Sequence, residues 1–180
     1  MRGLMKPGLA AWLALVLLLA GCGAVPVATY EAERPVLDLQ RYFEGTVDAW
    51  GMFQDRSGKV VKRFHVRVDA QWVGDTGTLD EHFEYADGTR SRRVWTITRV
   101  DAQRYRGTAA DVVGEARGEA RGNALRWQYA LKLEVDGRTY EVDFDDWMYL
   151  IDDQVMLNRS VMSKFGFYLG EVTLSFRKRT

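Results

Sequence analysis

Beyond Phe43 the chain repeats one pattern: apolar and polar residues alternate in runs that are cut at "RSGK", "VGDTGT", "ADGT", "VDAQR", "RGNA", "VDGR" and "IDDQ". A period of two broken by short turn-formers specifies strands joined antiparallel in chain order, because such turns cannot carry a crossover between parallel strands. No amphipathic helical run competes with it. A long meander keeps two open edges unless it closes on itself. The pattern therefore predicts an all-β, antiparallel up-and-down barrel of about eight to ten strands, lipocalin-like or fatty-acid-binding-like. Nine strands would leave the first and last parallel. A break at "ADVVG" (Ala110 to Gly114) makes ten and lets Val172, Leu174 and Phe176 close antiparallel onto the first strand, so ten is the preferred count.

The turns also set registers. A two-residue turn at Asp136-Gly137, a favoured hairpin signal, pairs Leu133 with Tyr140, Leu131 with Val142, Tyr129 with Phe144 and Trp127 with Asp146. A turn at Gly122-Asn123 puts Trp127, Tyr129 and Leu131 opposite Gly118, Ala116 and Gly114, small residues that leave room beside large ones. Around Ser57-Gly58 the same logic sets Val47, Ala49 and Gly51 against Val68, Val66 and Phe64.

The stretch "EVDFDDWMYLIDDQVMLNRSVM" crowds aspartates against aromatics and invites a metal-site reading. It lacks the central Gly and terminal Glu of an EF-hand loop. With Asp152-Asp153 as a turn the cluster disperses: Asp143 and Asp145 point outward, Leu150 pairs with Val155, Met148 with Leu157, and Asp146 faces Arg159 on the inner side. A buried charge needs a partner. The pair is thus expected to be a buried ion bridge beside Trp127, with recognition of a ligand carboxylate by Arg159 as the functional alternative. Glu81 shares an inner face with Phe83 and Tyr85 and is expected near Arg93 and Trp95, a second buried ion pair.

Residues 1–21 stand apart from this pattern. Arg2 and Lys6 precede the apolar run "LAAWLALVLLLA", too short to span a bilayer, and "LAGC" follows, ending at Cys22. The segment reads as a lipoprotein signal peptide, with Cys22 as the site of lipid attachment, including palmitate-type acyl chains. Residues 22–37, with Pro26 and Pro35 and no period, read as a flexible tether, and 38–180 as the barrel domain; "LDLQRYF" (Leu37 to Phe43) is expected to be a short helical turn at its entrance. "LAGC" resembles the bacterial lipoprotein box, and by that resemblance Gly23, where inner-membrane retention typically shows Asp, implies the outer membrane, the domain facing the periplasm, with the periplasmic face of the inner membrane as the alternative.

Cleavage after residue 21 leaves 23 basic residues (25 less Arg2 and Lys6) against 25 acidic ones, which provides no basic field for nucleic acid. Cys22 is the only cysteine, so a lipidated chain has no thiol for catalysis or a disulfide. His65 and His82 are the only histidines, each on a solvent face, which argues against a His-based metal site or triad. No nucleophile and base can be paired and no phosphate or dinucleotide loop occurs, so no catalytic residue and no cofactor are expected.

"YFEGTVDAWGMFQDRSGKV", "LDEHFEYADG", "DVVGEARGEARGNALRWQY", "VDFDDWMYLIDD" and "NRSVMSKFGFYLGEVTLSF" together resemble an uncharacterised proteobacterial lipoprotein family, domain of unknown function 3833. The resemblance covers nearly the whole chain after the signal and implies an envelope or fatty-acyl context, but supplies no catalytic residue. Two functions fit. One is a membrane-anchored binding module whose interior, lined by Trp72, Trp95, Trp127, Tyr129, Phe144 and Leu157, takes an acyl chain or similar apolar ligand, with Arg159 and Asp146 at its polar end. The other is an envelope scaffold with a filled barrel, whose outward Trp147, Tyr149 and Met156 dock a partner protein.

Overall fold

The computed structural model describes residues 24–135 and 137–179; the signal segment and Cys22 lie outside the described residues. Ten strands follow one another: β1 (Gly45–Asp55), β2 (Val60–Val73), β3 (Thr76–Tyr85), β4 (Arg90–Arg99), β5 (Arg104–Thr108), β6 (Val112–Arg121), β7 (Ala124–Val135), β8 (Arg138–Leu150), β9 (Val155–Lys164) and β10 (Phe167–Lys178). Each pairs antiparallel with its chain neighbours, and β1 pairs with β10, so the sheet closes into a barrel, although the short β5 pairs with β4 only over Thr96–Arg99. The even strand number makes that closure antiparallel, with Val172, Leu174 and Phe176 opposite Phe53, Gly51 and Ala49.

Registers fixed by tight turns match their sequence. Val47, Ala49 and Gly51 face Val68, Val66 and Phe64; Trp127, Tyr129, Leu131 and Leu133 face Asp146, Phe144, Val142 and Tyr140. Two registers differ. The β6–β7 ladder follows the Gly122 turn to Gly118↔Trp127, then shifts between Val113 and Arg117, so Leu131 meets Val112. Gly114 has φ +68° in this irregularity and is exposed, so it offers no room inside the barrel.

The second difference matters more. Leu150 pairs with Met156, not Val155, because five residues (151–155), an odd number, separate the two paired positions. Asp152 closes the β8–β9 loop: its carboxylate accepts from the backbone N–H of Gln154 and Val155, both at 2.8 Å, while Ile151 N–H donates to the Val155 carbonyl at 2.9 Å. A slip of one residue turns every side chain of a strand to the other face. Met156, Asn158, Ser160 and Met162 therefore point inward, and Leu157 and Arg159 outward.

One end of the barrel is plugged by α1 (Leu39–Phe43), which buries Leu39, Tyr42 and Phe43. Asp38 caps it by accepting from the Arg41 N–H at 3.0 Å, and the same carboxylate receives Arg99 at 2.8 Å. Phe43 packs edge-on against Phe176, ring centroids 5.9 Å apart, and Tyr42 donates its hydroxyl to the Gln154 carbonyl at 3.0 Å. The stretch read as a tether is docked from Val27 onward. A single 3-10 turn (Val27–Tyr30) places Tyr30 against Trp147 and Tyr149, centroids 5.9 and 5.3 Å away, and Leu37 N–H donates to the Gly122 carbonyl at 2.8 Å. Apart from Val27, the buried apolar core of the described residues runs from Leu37 to Phe176, so residues 23–180 contain every described element of the fold.

Candidate ligand cavity

Inward positions of the strands leave a cavity of about 430 Å³, within the usual range for small-molecule sites. Its floor is Leu39 and Phe43 of the plug, and it rises to Lys62, Tyr85, Glu134 and Val135 beside the hairpins at the opposite end. Most of its wall is apolar. Trp95 meets Trp127 and Tyr129 edge-on, with centroids 5.8 and 5.4 Å apart, and Tyr129 stacks on Phe144 at 5.2 Å and 4°.

The small residues do not enlarge this space. A Cβ on Gly107 would lie 2.6 Å from the Trp127 ring, and Gly118 abuts the same indole, so these glycines are filled by Trp127 itself. Similarly, Trp72 packs over Gly77, where a Cβ would come within 2.5 Å of its ring. Trp72 thus covers a glycine instead of lining the cavity.

At mid-height the apolar wall is interrupted by Glu81, Arg93, Tyr129, Asp146, Asn158 and Ser160. Asp146, only 6% exposed, accepts from the Ser160 hydroxyl on Oδ1 and from the Tyr129 hydroxyl on Oδ2 at 3.1 Å. Burial pushes its pKa up to about 7; the bonds from Ser160 and Tyr129 pull the other way, and the Asp145 charge adds to the rise. Tyr129 is pushed well above the ordinary phenol value, first by burial and then by the Asp146 charge. The register slip of β9 explains this composition. The partners of the buried acid are two hydroxyls, not a guanidinium.

Arg159 is consequently no part of the site. It lies opposite Trp147 and Thr173, and its Nε and Nη2 donate to Glu171 at 3.0 and 2.7 Å on the outer surface, with 62% of its side chain exposed. Leu157 is exposed on the same face. Met156, expected outside, is fully buried, and Trp147 and Tyr149 are half-buried under Tyr30, which covers much of the face assigned to a docking partner.

The cation inside is Arg93. Its Nε and Nη2 donate to Asp111 at 2.9 and 2.7 Å, and its Nη1 lies 3.8 Å from Glu81 Oε2. Burial would lower the Arg93 pKa, but Glu81 and Asp111 carry it upward, so the guanidinium stays charged. Glu81 is pushed up to about 7, chiefly by burial, which the Arg93 charge opposes and Asp111 and Asp146 reinforce. Its Oε2 is buried with no hydrogen-bond partner among the described residues.

Glu81, expected near Arg93 and Trp95, is set directly opposite Arg93 by the β3–β4 ladder, with Trp95 opposite Leu79. Asp111, in the β5–β6 connection, and Ser160 and Asn158 are the site residues that alternation alone did not reveal. Ser160 and Asn158 alternate with Met156 and Met162, a face that looks less apolar than Val155, Leu157 and Val161, and only the loop parity selects it.

The sequence profile of the family described as "Protein of unknown function (DUF3833)" matches residues 16–178. The chain belongs to this family. No curated protein matches it. Among solved structures, the S-type phycobiliprotein lyase CPES from Guillardia theta superposes with a TM-score of 0.58 at 6% identity, covering 80% of this chain and 94% of that one. A protein of unknown function of the DUF3598 family from Nostoc punctiforme PCC 73102 superposes with a TM-score of 0.56 at 12% identity, over 87% of this chain and 53% of the other. At these identities the likeness is one of fold, a lipocalin-like closed barrel.

Proposed function

We propose that this member of the DUF3833 family is a lipid-anchored protein of the cell envelope whose barrel binds a predominantly apolar small molecule. One observation carries the binding half: a cavity of about 430 Å³ is enclosed by a closed sheet and a helical floor, with a wall dominated by aromatic and aliphatic side chains. A barrel whose task was only to scaffold a partner would be expected to fill that space, since emptied apolar volume costs about 24 cal/mol per Å³. The solved barrel of a phycobiliprotein lyase on the same fold supports a small-molecule role without naming the ligand. The anchor rests on "LAGC" and the apolar run before it.

The test is native mass spectrometry of residues 23–180 produced in the source organism, together with titration of the delipidated protein with diphenylhexatriene, an uncharged apolar fluorophore. The proposal expects a co-purifying apolar adduct or saturable one-to-one probe binding, with quenching of Trp95 and Trp127, which line the cavity. Failure of both would overturn it.

A further inference from the structure

We infer that the ligand carries a hydrogen-bond-donating head, an amine or a hydroxyl, and sits head inward against Glu81 and Asp146, and that carboxylate heads are selected against. The inference rests on the reading of the barrel as a ligand-binding cavity and assigns its polar end.

Three observations lead to it. First, the polar belt is over-supplied with acceptors. Among the described residues Arg93 is the one cation in it, and it faces the carboxyls of Glu81 and Asp111, with Asp146 a third acid within electrostatic reach. Second, Asp111 holds the Nε–Nη2 edge of Arg93, so a ligand carboxylate could reach only Nη1, beside Glu81. An incoming carboxylate would be desolvated beside like charges, the arrangement that costs most in a low-dielectric site. Third, Glu81 lines the cavity, and its buried Oε2 accepts no hydrogen bond among the described residues; the facing cation, Arg93 Nη1, stands 3.8 Å away. A donor brought by the ligand, or the local shift it induces, would give that buried acceptor the hydrogen bond it lacks.

The layering of the wall gives the orientation. Along β3, Leu79 lies below Glu81 toward the plug, and Phe83 above it toward the mouth. Along β8, Met148 lies below Asp146 and Phe144 above. The deeper layer is closed by Leu39 and Phe43, whereas on the mouth side the lining continues through Phe64, Phe83, Leu133 and Val172 to Lys62 and Tyr85 at the rim. A ligand lying head outward, with an acid near Lys62 at the rim, would place its hydrocarbon end on Glu81 and Asp146 and leave Oε2 unpaired.

The experiment is displacement of diphenylhexatriene from residues 23–180 by dodecylamine, dodecan-1-ol and dodecanoate, equal in chain length, each below its micellar concentration at about pH 8. The amine and the alcohol are expected to displace the probe at concentrations at least about tenfold lower than dodecanoate, equivalent to about 1.4 kcal/mol. Glu81→Gln keeps an acceptor and the shape but removes the charge. It is expected to weaken the amine at least about tenfold and the alcohol less. Arg159→Met, on the outer surface, should change none of the three. Dodecanoate binding as tightly as the other two would overturn the head assignment while leaving the cavity reading standing, as would a Glu81→Gln variant that binds the amine as tightly as the wild type does. If diphenylhexatriene itself fails to bind, the cavity reading falls and takes the head assignment with it.

Discussion

Glu81 and Asp146 make stability depend on pH in a direction opposite to that of most surface carboxylates. Both folded-state pKa values are raised by burial to about 7, from ordinary values of 4.5 and 3.8. Between about pH 4 and 7 the folded chain therefore holds protons that the unfolded chain has released, so stability falls as pH rises through that window. Each unit of difference is about 1.4 kcal/mol, and the two groups together are expected to remove several kcal/mol by pH 8. Asp48, Asp69 and Asp80 act oppositely: each is held below the ordinary range first by a hydrogen-bonded arginine (Arg179, Arg67 and Arg92), so their contribution is lost only as pH falls below about 4. Thermal unfolding should accordingly show a higher midpoint at pH 5 than at pH 8, and Asp146→Asn should flatten that difference. A midpoint that rises steadily to pH 8 would contradict it. Arg159 provides the contrast. Its bond to Glu171 is exposed, and Arg159→Met is expected to cost less than about 1 kcal/mol in denaturant unfolding.

At the scale of the elements, what could be read from the sequence divides according to how each turn is built. Hairpins whose turns carry Gly at a left-handed position, as at Gly58 and Gly137, fix both the loop length and its parity, and the β1–β2 and β7–β8 registers followed from them. The break read at Ala110 to Gly114 likewise gave the tenth strand, although it falls at residues 109–111 and β6 already begins at Val112. "IDDQ" carries no glycine, and its two aspartates suited even and odd loops equally. The choice between them depends on Asp152 accepting two backbone N–H groups, a closure that alternation does not encode. That single residue of parity moved Arg159 out of the site and Ser160 in. Glu81 and Arg93 were legible because their hairpin was, whereas Asp111 enters from a connection with no period at all. Asp152→Ala should remove the closure at a cost of about 1 to 2 kcal/mol without loss of the barrel. A larger loss, with altered amide protection along all of β9, would show that the loop dictates the register instead of merely agreeing with the inward face. Gly122 is a second sensitive point. It has φ +52°, and a Cβ there would collide with the Tyr30 carbonyl, so Gly122→Ala is expected to release the 3-10 turn and expose Trp147 and Tyr149 to quenchers.

For the whole molecule, the up-and-down topology assigns each connection to one end or the other. The β2–β3, β4–β5, β6–β7 and β8–β9 connections share the plugged end with α1, and the β1–β2, β3–β4, β5–β6, β7–β8 and β9–β10 connections lie on the side of the mouth. The docked 3-10 turn begins at Val27, so only residues 23–26 separate it from Cys22. Covalent geometry limits that spacer to roughly 14 to 18 Å, less than the height of a barrel whose tilted strands of about ten residues rise on the order of 25 Å. If Cys22 is lipidated as proposed, the plugged end should face the anchoring membrane and the mouth should open away from it, toward the compartment from which a ligand would arrive. Two measurements check this in order. Labelled palmitate should enter the wild-type protein and not Cys22→Ser; incorporation into the variant would remove the anchor from the argument. In lipidated protein on vesicles, a fluorophore at Asp153→Cys, in the β8–β9 loop, should then be quenched by headgroup nitroxides more strongly than one at Ser57→Cys, in the β1–β2 turn. The reverse order would mean that the 3-10 turn undocks on the membrane and that the mouth faces the bilayer, so that an apolar ligand could pass between barrel and lipid without crossing water.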